Sequence, residues 1–165
     1  MKKLLLCRHG KSAWDNPFLN DHKRPLSERG MEDAPIMAQR LKRKNIIPDK
    51  ILSSDAKRAE STALITAENL GFPSNKIHFT SKLYHASATT VLSVIKDTPD
   101  HVDTLFLFGH NPGLNDLIEL LDGEIENLPT CGQFGFIFEA DTWKAIHRSN
   151  AKFWFFDYPK NSKTI

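Results

Sequence analysis

Two short, uncharged and nearly all-apolar runs, Leu4 to Cys7 and Thr104 to Phe108, constrain this chain more than any other feature. A half-exposed strand alternates polar and apolar residues, whereas a strand covered on both faces reads as a continuous apolar stretch. Such strands belong to sheets with helices on either side, and helical patterns follow both runs. Ser27 is placed to cap a helix bearing Met31, Ala34, Ala38 and Leu41, with Pro35 inside it as a potential kink or a later start. Ser54 or Asp55 can cap a second helix bearing Ala59, Ala63, Ala67 and Leu70, which Gly71 stops. Val91 to Ile95 and then Leu114, Leu117, Ile118 and Leu121 mark two more. Lys50 to Ser53 reads as a short strand and Asn75 to Leu83 as a weaker one. Phe134 to Glu139 and Lys152 to Phe156 are late strands whose pairing can be antiparallel. The expected fold class is α/β, a three-layer sandwich with a mostly parallel central sheet flanked by helices. At 165 residues, with no repeat or linker, residues 1–165 are expected to form one domain. The C-terminal aromatics Phe153, Trp154, Phe155, Phe156 and Tyr158 are expected to complete its core.

Composition narrows the function classes. The formal net charge of +2, from 22 basic and 20 acidic residues, gives no one-sign field of the kind nucleic-acid binders use. Cys7 and Cys131 are far apart in sequence and form no C-x-x-C pair, so they read as reduced core thiols. The seven histidines show no H-E-x-x-H or similar ligand spacing, so neither metal nor cofactor is expected. The apolar run at the N-terminus is too short for a signal peptide and no stretch is long enough to span a bilayer. A cytoplasmic protein without nucleic-acid or membrane partners is expected.

Three segments carry the chemistry, each following a predicted strand. In Leu6-Cys7-Arg8-His9-Gly10-Lys11-Ser12 a buried strand ends in a guanidinium, an imidazole and a glycine. Arginine offers a planar fork that matches two phosphate oxygens, and glycine permits close backbone approach. In Ser53-Ser54-Asp55-Ala56-Lys57-Arg58-Ala59 an arginine falls in the first turn of a helix. There it opposes the positive end of the helix dipole, a conflict that a bound anion relieves and that pairing with Glu60 or Asp55 also eases. In Phe108-Gly109-His110-Asn111-Pro112-Gly113 a second histidine leaves a central strand in a rigid, small-residue setting. In open α/β sheets ligands gather beyond the carboxyl ends of the strands, so Arg8, His9, Arg58 and His110 can converge there despite their separation in sequence.

The ordered combination of R-H-G, S-S-x-x-x-R-A-x-x-T-A and G-H-N-P-G resembles the histidine phosphatase superfamily. More closely, Arg8 to Trp14, the run Arg24-Pro25-Leu26-Ser27-Glu28-Arg29-Gly30, Leu83-Tyr84-His85-Ala86, the loop from Asn127 to Gly132 and Phe155-Phe156-Asp157-Tyr158-Pro159 resemble the SixA-type phosphohistidine phosphatases. The resemblance implies a phosphoglycerate mutase-like fold, His9 as nucleophile, Arg8 and Arg58 on the phosphate oxygens, and His110 stabilising the transferring group. Gly10, Lys11, Arg24 and His85 are candidate substrate contacts. The implied route has two steps, with the phosphoryl group passing to His9 and then to water, without metal. A histidine nucleophile must be neutral, and adjacent guanidiniums lower its pKa while attracting the substrate dianion.

Two departures bear on substrate. Many members of the superfamily carry a glutamate proton donor where this chain has His85, which favours a phosphoramidate over sugar or glycerate phosphates; His85 itself, Glu28 or Asp21 are alternative donors. Asp55 stands where the family commonly has proline. The expected substrate is phosphohistidine or another phosphorylated protein group, because a short chain without large insertions leaves an open site. The alternatives are a small-molecule phosphomonoesterase for a nucleotide, sugar or coenzyme phosphate, and a catalytically silent phosphate-binding module.

Overall fold

The computed structural model describes residues 1–161. Among them, six strands form one sheet in the order β3-β2-β4-β1-β5-β6. The strands are β1 (Lys2–Arg8), β2 (Lys50–Ser54), β3 (His78–Thr80), β4 (Thr104–Gly109), β5 (Gln133–Phe138) and β6 (Ala151–Asp157). Both β1 and β2 pair with β4 in parallel, as β2 does with β3, while β5 lies antiparallel to β1 and β6 antiparallel to β5. The sheet is therefore mixed, with its parallel part at the centre and its antiparallel part formed by the late strands.

Strand periodicity sorts the core into two layers. Leu4, Leu6, Leu105 and Leu107 face one side, against α3 (Ala88–Lys96) and α4 (Gly113–Leu120) through Val91, Ile95, Leu114, Leu117 and Ile118. Leu5, Cys7, Phe106 and Phe108 face the other, against α1 (Glu28–Arg43) and α2 (Lys57–Leu70) through Leu41, Ala63, Ala67 and Leu70. The continuous apolar runs exist because β1 and β4 bury both faces at once. Cys7 and Cys131 are free and buried.

Several local expectations need correction. The first helix begins at Glu28, capped by Ser27 as expected, and runs on through Pro35 instead of starting later. Its buried stripe is Gly30, Asp33, Ala34, Met37, Ala38 and Leu41, and Met31 lies off it, 53% exposed. The second helix is capped by Ala56 without a side-chain bond, because Ser54 and Asp55 are engaged elsewhere. From Asn75 to Leu83 the chain makes only the short β3 between two 3-10 turns. Phe153 does not complete the core: on the edge strand β6 its side chain is exposed, while Phe156 packs against the α3/α4 layer. No helix of the described residues is long and apolar enough to cross a membrane.

Candidate active site

Parallel pairing sets the two histidines side by side. Arg8, the last residue of β1, lies opposite Gly109, the last of β4, so His9 and His110 leave neighbouring strands at the same edge. Their ring centroids are 5.1 Å apart at an interplanar angle of 52°. On the far side of β4, β2 ends two residues before Ala56, and Arg58 follows in the first turn of α2, 3% exposed. Arg8, His9, Arg58 and His110 thus converge beyond the carboxyl ends of β1, β2 and β4, where the sheet type favours ligand binding.

The tautomer of His9 follows from one bond. Its Nδ1 lies 2.7 Å from the carbonyl oxygen of Gly10, and a carbonyl only accepts, so Nδ1 carries the proton and Nε2 keeps its lone pair. Gly10 is itself fixed by its amide, which donates to Thr62 Oγ1 at 2.9 Å. A Cβ at Gly10 would come within 3.0 Å of Leu26 and 3.1 Å of Cys131 Sγ, so glycine is needed there for close approach. Burial, opposed by the Gly10 bond and reinforced by the charges of Arg58, Arg8 and Arg24, lowers the His9 pKa from 6.5 to about 4. The imidazole is neutral at physiological pH.

His110 is oriented by Ser54, whose Oγ lies 2.8 Å from Nε2. That hydroxyl already accepts from the Ala56 amide at 3.2 Å, so its own proton is free to go to His110 Nε2. This assignment puts the His110 proton on Nδ1, a buried atom with no hydrogen-bond partner in the protein. Burial, with the charges of His9, Arg58 and His85 adding and Asp21 opposing, lowers its pKa to about 3. His110 is therefore a neutral donor beside a neutral nucleophile. Arg8 donates through Nη1 to the Leu128 carbonyl at 3.0 Å, and the Nε atoms of Arg8, Arg24 and Arg58 are buried without partners. Buried unpaired donors are costly, and three such guanidiniums whose charges bear on His9 fit an oxyanion.

A rim surrounds this floor, centred on Asp21. Its Oδ2 accepts from Arg58 Nη2 at 3.0 Å and from the Tyr84 hydroxyl at 2.6 Å, and lies 2.9 Å from His85 Nε2. Its Oδ1 accepts from Arg24 Nη2 at 2.6 Å. Burial alone would raise the pKa of this carboxyl, but the bonds from Arg24, Tyr84 and His85 and the charge of Arg58 outweigh it and hold the group well below the usual carboxylate range. Arg24 also donates to Ser12 Oγ, and its guanidinium lies 3.5 Å from the centroid of the Trp14 ring. The sequence offered Glu60 or Asp55 as partners of Arg58; instead Glu60 pairs with Lys57 and Asp55 with His22.

Of the predicted contacts, Gly10 lies under His9, and Arg24 and His85 reach the cluster through Asp21. The Lys11 side chain is exposed, and the residue serves through its carbonyl, which accepts from the Ser27 amide at 2.8 Å and anchors the start of the first helix. Sequence reasoning missed Ser54, Thr62 and the Leu128 carbonyl. The first two stand inside the quoted S-S-x-x-x-R-A-x-x-T-A pattern, which was the available signal, whereas nothing local marks a carbonyl.

Comparison with known proteins agrees with this geometry. Residues 4–84 match the model of the histidine phosphatase superfamily, branch 1. An uncharacterised chloroplastic protein of Arabidopsis thaliana is 36% identical over 139 residues, covering 79% of this chain and 63% of that relative. The chain thus matches less than two thirds of that protein's length. An uncharacterised protein of Mycobacterium leprae is 28% identical over 166 residues, covering 93% of this chain and 99% of the relative. Among solved structures, a candidate phosphohistidine phosphatase SixA from Agrobacterium tumefaciens superposes with a TM-score of 0.81 at 28% identity, covering 96% of this chain and 98% of that one. The shared fold is phosphoglycerate mutase-like, and this chain belongs to the histidine phosphatase superfamily.

Proposed function

We propose that this chain is a phosphatase that forms a phosphohistidine on His9 and that it acts on phosphohistidine or another phosphorylated group of a protein. The observation that carries the reading is the His9 tautomer: Nδ1–H is held by the Gly10 carbonyl, so Nε2 keeps its lone pair, in the field of the Arg58, Arg8 and Arg24 guanidiniums. A pocket that merely bound phosphate would gain nothing from a neutral imidazole among cations, since a charged donor would hold a dianion better.

In the first step His9 Nε2 attacks phosphorus and the bond to the leaving atom breaks. Arg8, Arg58 and the Nδ1–H of His110 take up charge on the equatorial oxygens of a loose transition state. In the second step water attacks phosphorus, the P–Nε2 bond breaks, and phosphate leaves. The residues act without metal in this scheme, and no group of three or more His, Cys, Asp or Glu side chains among the described residues is gathered to hold one.

The protein-borne substrate is supported by the surroundings. Trp14 and Phe18 are 76% and 95% exposed on the loop leading to Asp21, with Trp14 stacked on Arg24. Large exposed apolar side chains next to a reactive centre suit contact with a macromolecule. Incubating the wild type and His9→Ala with a phosphohistidine-bearing protein and a panel of nucleotide, sugar and coenzyme phosphates tests the reading. The expected result is turnover preferring the phosphoprotein, absent in the variant. Preference for one small phosphate would move the assignment to the phosphomonoesterase alternative, and turnover unaffected by the substitution would remove His9 as nucleophile. The scheme needs no cofactor, and the proposed site of action is the cytoplasm.

A further inference from the structure

We infer that the end of the sheet opposite the histidine cluster carries a second binding site: a cleft that takes a nucleoside phosphate, with the base on Trp154 and Phe155 and the phosphate between Lys3 and Lys44. This site is independent of the His9 mechanism.

The sequence places Trp154 and Phe155 in the core, and a regular strand sends such neighbours to opposite faces. The last strand breaks that alternation. Phe153 pairs with Phe136 and Phe156 with Phe134, so Trp154 and Phe155 together stand opposite Gly135, a bulge of the kind that re-aims side chains. Phe153 and Phe156 both meet Phe134, at 5.3 and 5.8 Å between centroids. Phe155 instead packs with the layer of Leu5 and Phe106, and Trp154 lies across Gly135, the partner of Leu5 on the first strand. A Cβ at Gly135 would come within 2.9 Å of the indole, so glycine is needed for the ring to lie there. The two aromatic rings meet edge-on, 5.1 Å apart at 83°.

These rings floor a cavity of about 440 Å³ walled by Lys3, Lys44, Ile46 and Ile47. Lys3 Nζ lies 5.2 Å from the Trp154 centroid and Lys44 Nζ 4.6 Å from that of Phe155. Lys44 reaches Asp157 at 3.8 Å, but Arg40 engages that carboxylate more closely, at 3.2 Å. No acidic side chain is among the described residues that line the cavity. The last carbonyls of α1, those of Arg40, Leu41 and Lys42, accept from the amides of Lys44, Asn45 and Ile46 and so are already engaged.

The chemistry of the walls selects the ligand. An apolar ligand would strip two ammonium groups of their ring contacts and give nothing back, and a bare anion would have no use for the paired rings. A base stacked on the indole displaces the Lys3 ammonium from the ring face, and the phosphate joined to that base receives it. Stacking accepts any base, so the class is nucleoside phosphates, and the volume suits one nucleotide. Lys3 and Arg8 lie five residues apart on β1, about 17 Å at a rise of about 3.3 Å per residue, so the phosphate held here is not the one presented to His9.

The three tryptophans report separate places: Trp14 on the rim of the histidine cluster, Trp143 in the core and Trp154 in the cleft. In isotope-labelled protein their indole N–H signals are followed by NMR as α,β-methylene-ADP is added, a nucleotide whose bridging carbon resists a phosphatase. The Trp154 signal is expected to move saturably while those of Trp14 and Trp143 stay. Adenosine and methylenediphosphonate, each one part of the ligand, are expected to bind at least about 10-fold more weakly. The double variant Lys3→Ala/Lys44→Ala should weaken binding about 10-fold with the Trp143 signal and Tm retained. Gly135→Ala should weaken it about 10- to 100-fold by pushing the indole from its seat; if that variant does not fold, the surface lysine variant decides. A shift of Trp14 alone would put the nucleotide at the histidine cluster, and no shift below about 1 mM would leave no such site. Equal binding of methylenediphosphonate, or undiminished binding by the lysine variant, would reduce the cleft to a place without selectivity. Each of these results overturns the inference, and none bears on His9, whose role is read from the phosphoenzyme.

Discussion

The floor and the rim of the site are built on different principles. On the floor, His9, Arg58 and His110 are buried and Arg8 is half-buried, and they are fixed by backbone groups or by a neighbour one element away: Gly10 for His9, Leu128 for Arg8, Ser54 for His110. On the rim, Arg24, Tyr84, His85 and Trp14 are gathered by one carboxylate, that of Asp21, and by stacking. The floor is preorganised for an oxyanion whatever the substrate, whereas the rim can be rearranged by exchanging a single anion. Chemistry belongs to the first and selectivity to the second. Arg58 touches both, since its Nη2 is engaged by Asp21. An incoming phosphate therefore competes with an internal carboxylate for the same guanidinium.

The largest effects should come from the floor. Arg58→Ala or Arg8→Ala is expected to lower kcat/KM by about 10²- to 10³-fold on every substrate, as loss of one oxyanion donor does. A substrate-dependent loss in steady-state kinetics would blur the distinction between the two regions. Ser54→Ala leaves His110 in place but frees its tautomer, and the expected cost is about 10- to 100-fold in kcat with little change in KM. An unchanged rate would show that Ser54 does not set the proton position.

The rim should respond in affinity. Asp21→Asn removes the competing charge from Arg58 and Arg24, so inorganic phosphate is expected to inhibit several-fold more strongly, readable as a lower Ki. Weaker inhibition would mean that Asp21 helps to bind phosphate instead of opposing it. Gly113→Ala forces its Cβ against the Ala86 carbonyl and displaces the His85 segment. The expected destabilisation is about 1–3 kcal/mol in denaturant unfolding.

The smallest effect is in acid stability. His9 and His110 are held neutral, at about 4 and about 3, against an ordinary 6.5 in the unfolded chain. Between these values the unfolded state binds more protons, so stability falls as pH drops from 6.5 towards 4. His110→Asn should flatten that slope in unfolding titrations at several pH values. An unaltered slope would place the acid sensitivity elsewhere.

The same division explains what could be read from sequence. Both continuous apolar runs sit where parallel strands bury both faces, so the central strands and their terminal histidines were visible in local pattern. The floor residues occupy short motifs at strand ends, which is why they could be named together. Asp21 carries no such mark: its partners lie 37, 63 and 64 residues along the chain, and their approach is created by the fold. Phe153 failed as a core residue for a related reason, because edge position in the sheet, and not aromatic character, decides burial on the last strand.

The most direct test of the covalent route is acid-labile phosphate on His9. Rapid mixing with a phosphodonor, alkaline quench and peptide mass spectrometry should find the phosphoryl group on the peptide containing His9, formed and discharged at rates no slower than turnover. A phosphoryl group on another side chain, or turnover without any phosphoenzyme on that timescale, would contradict the account.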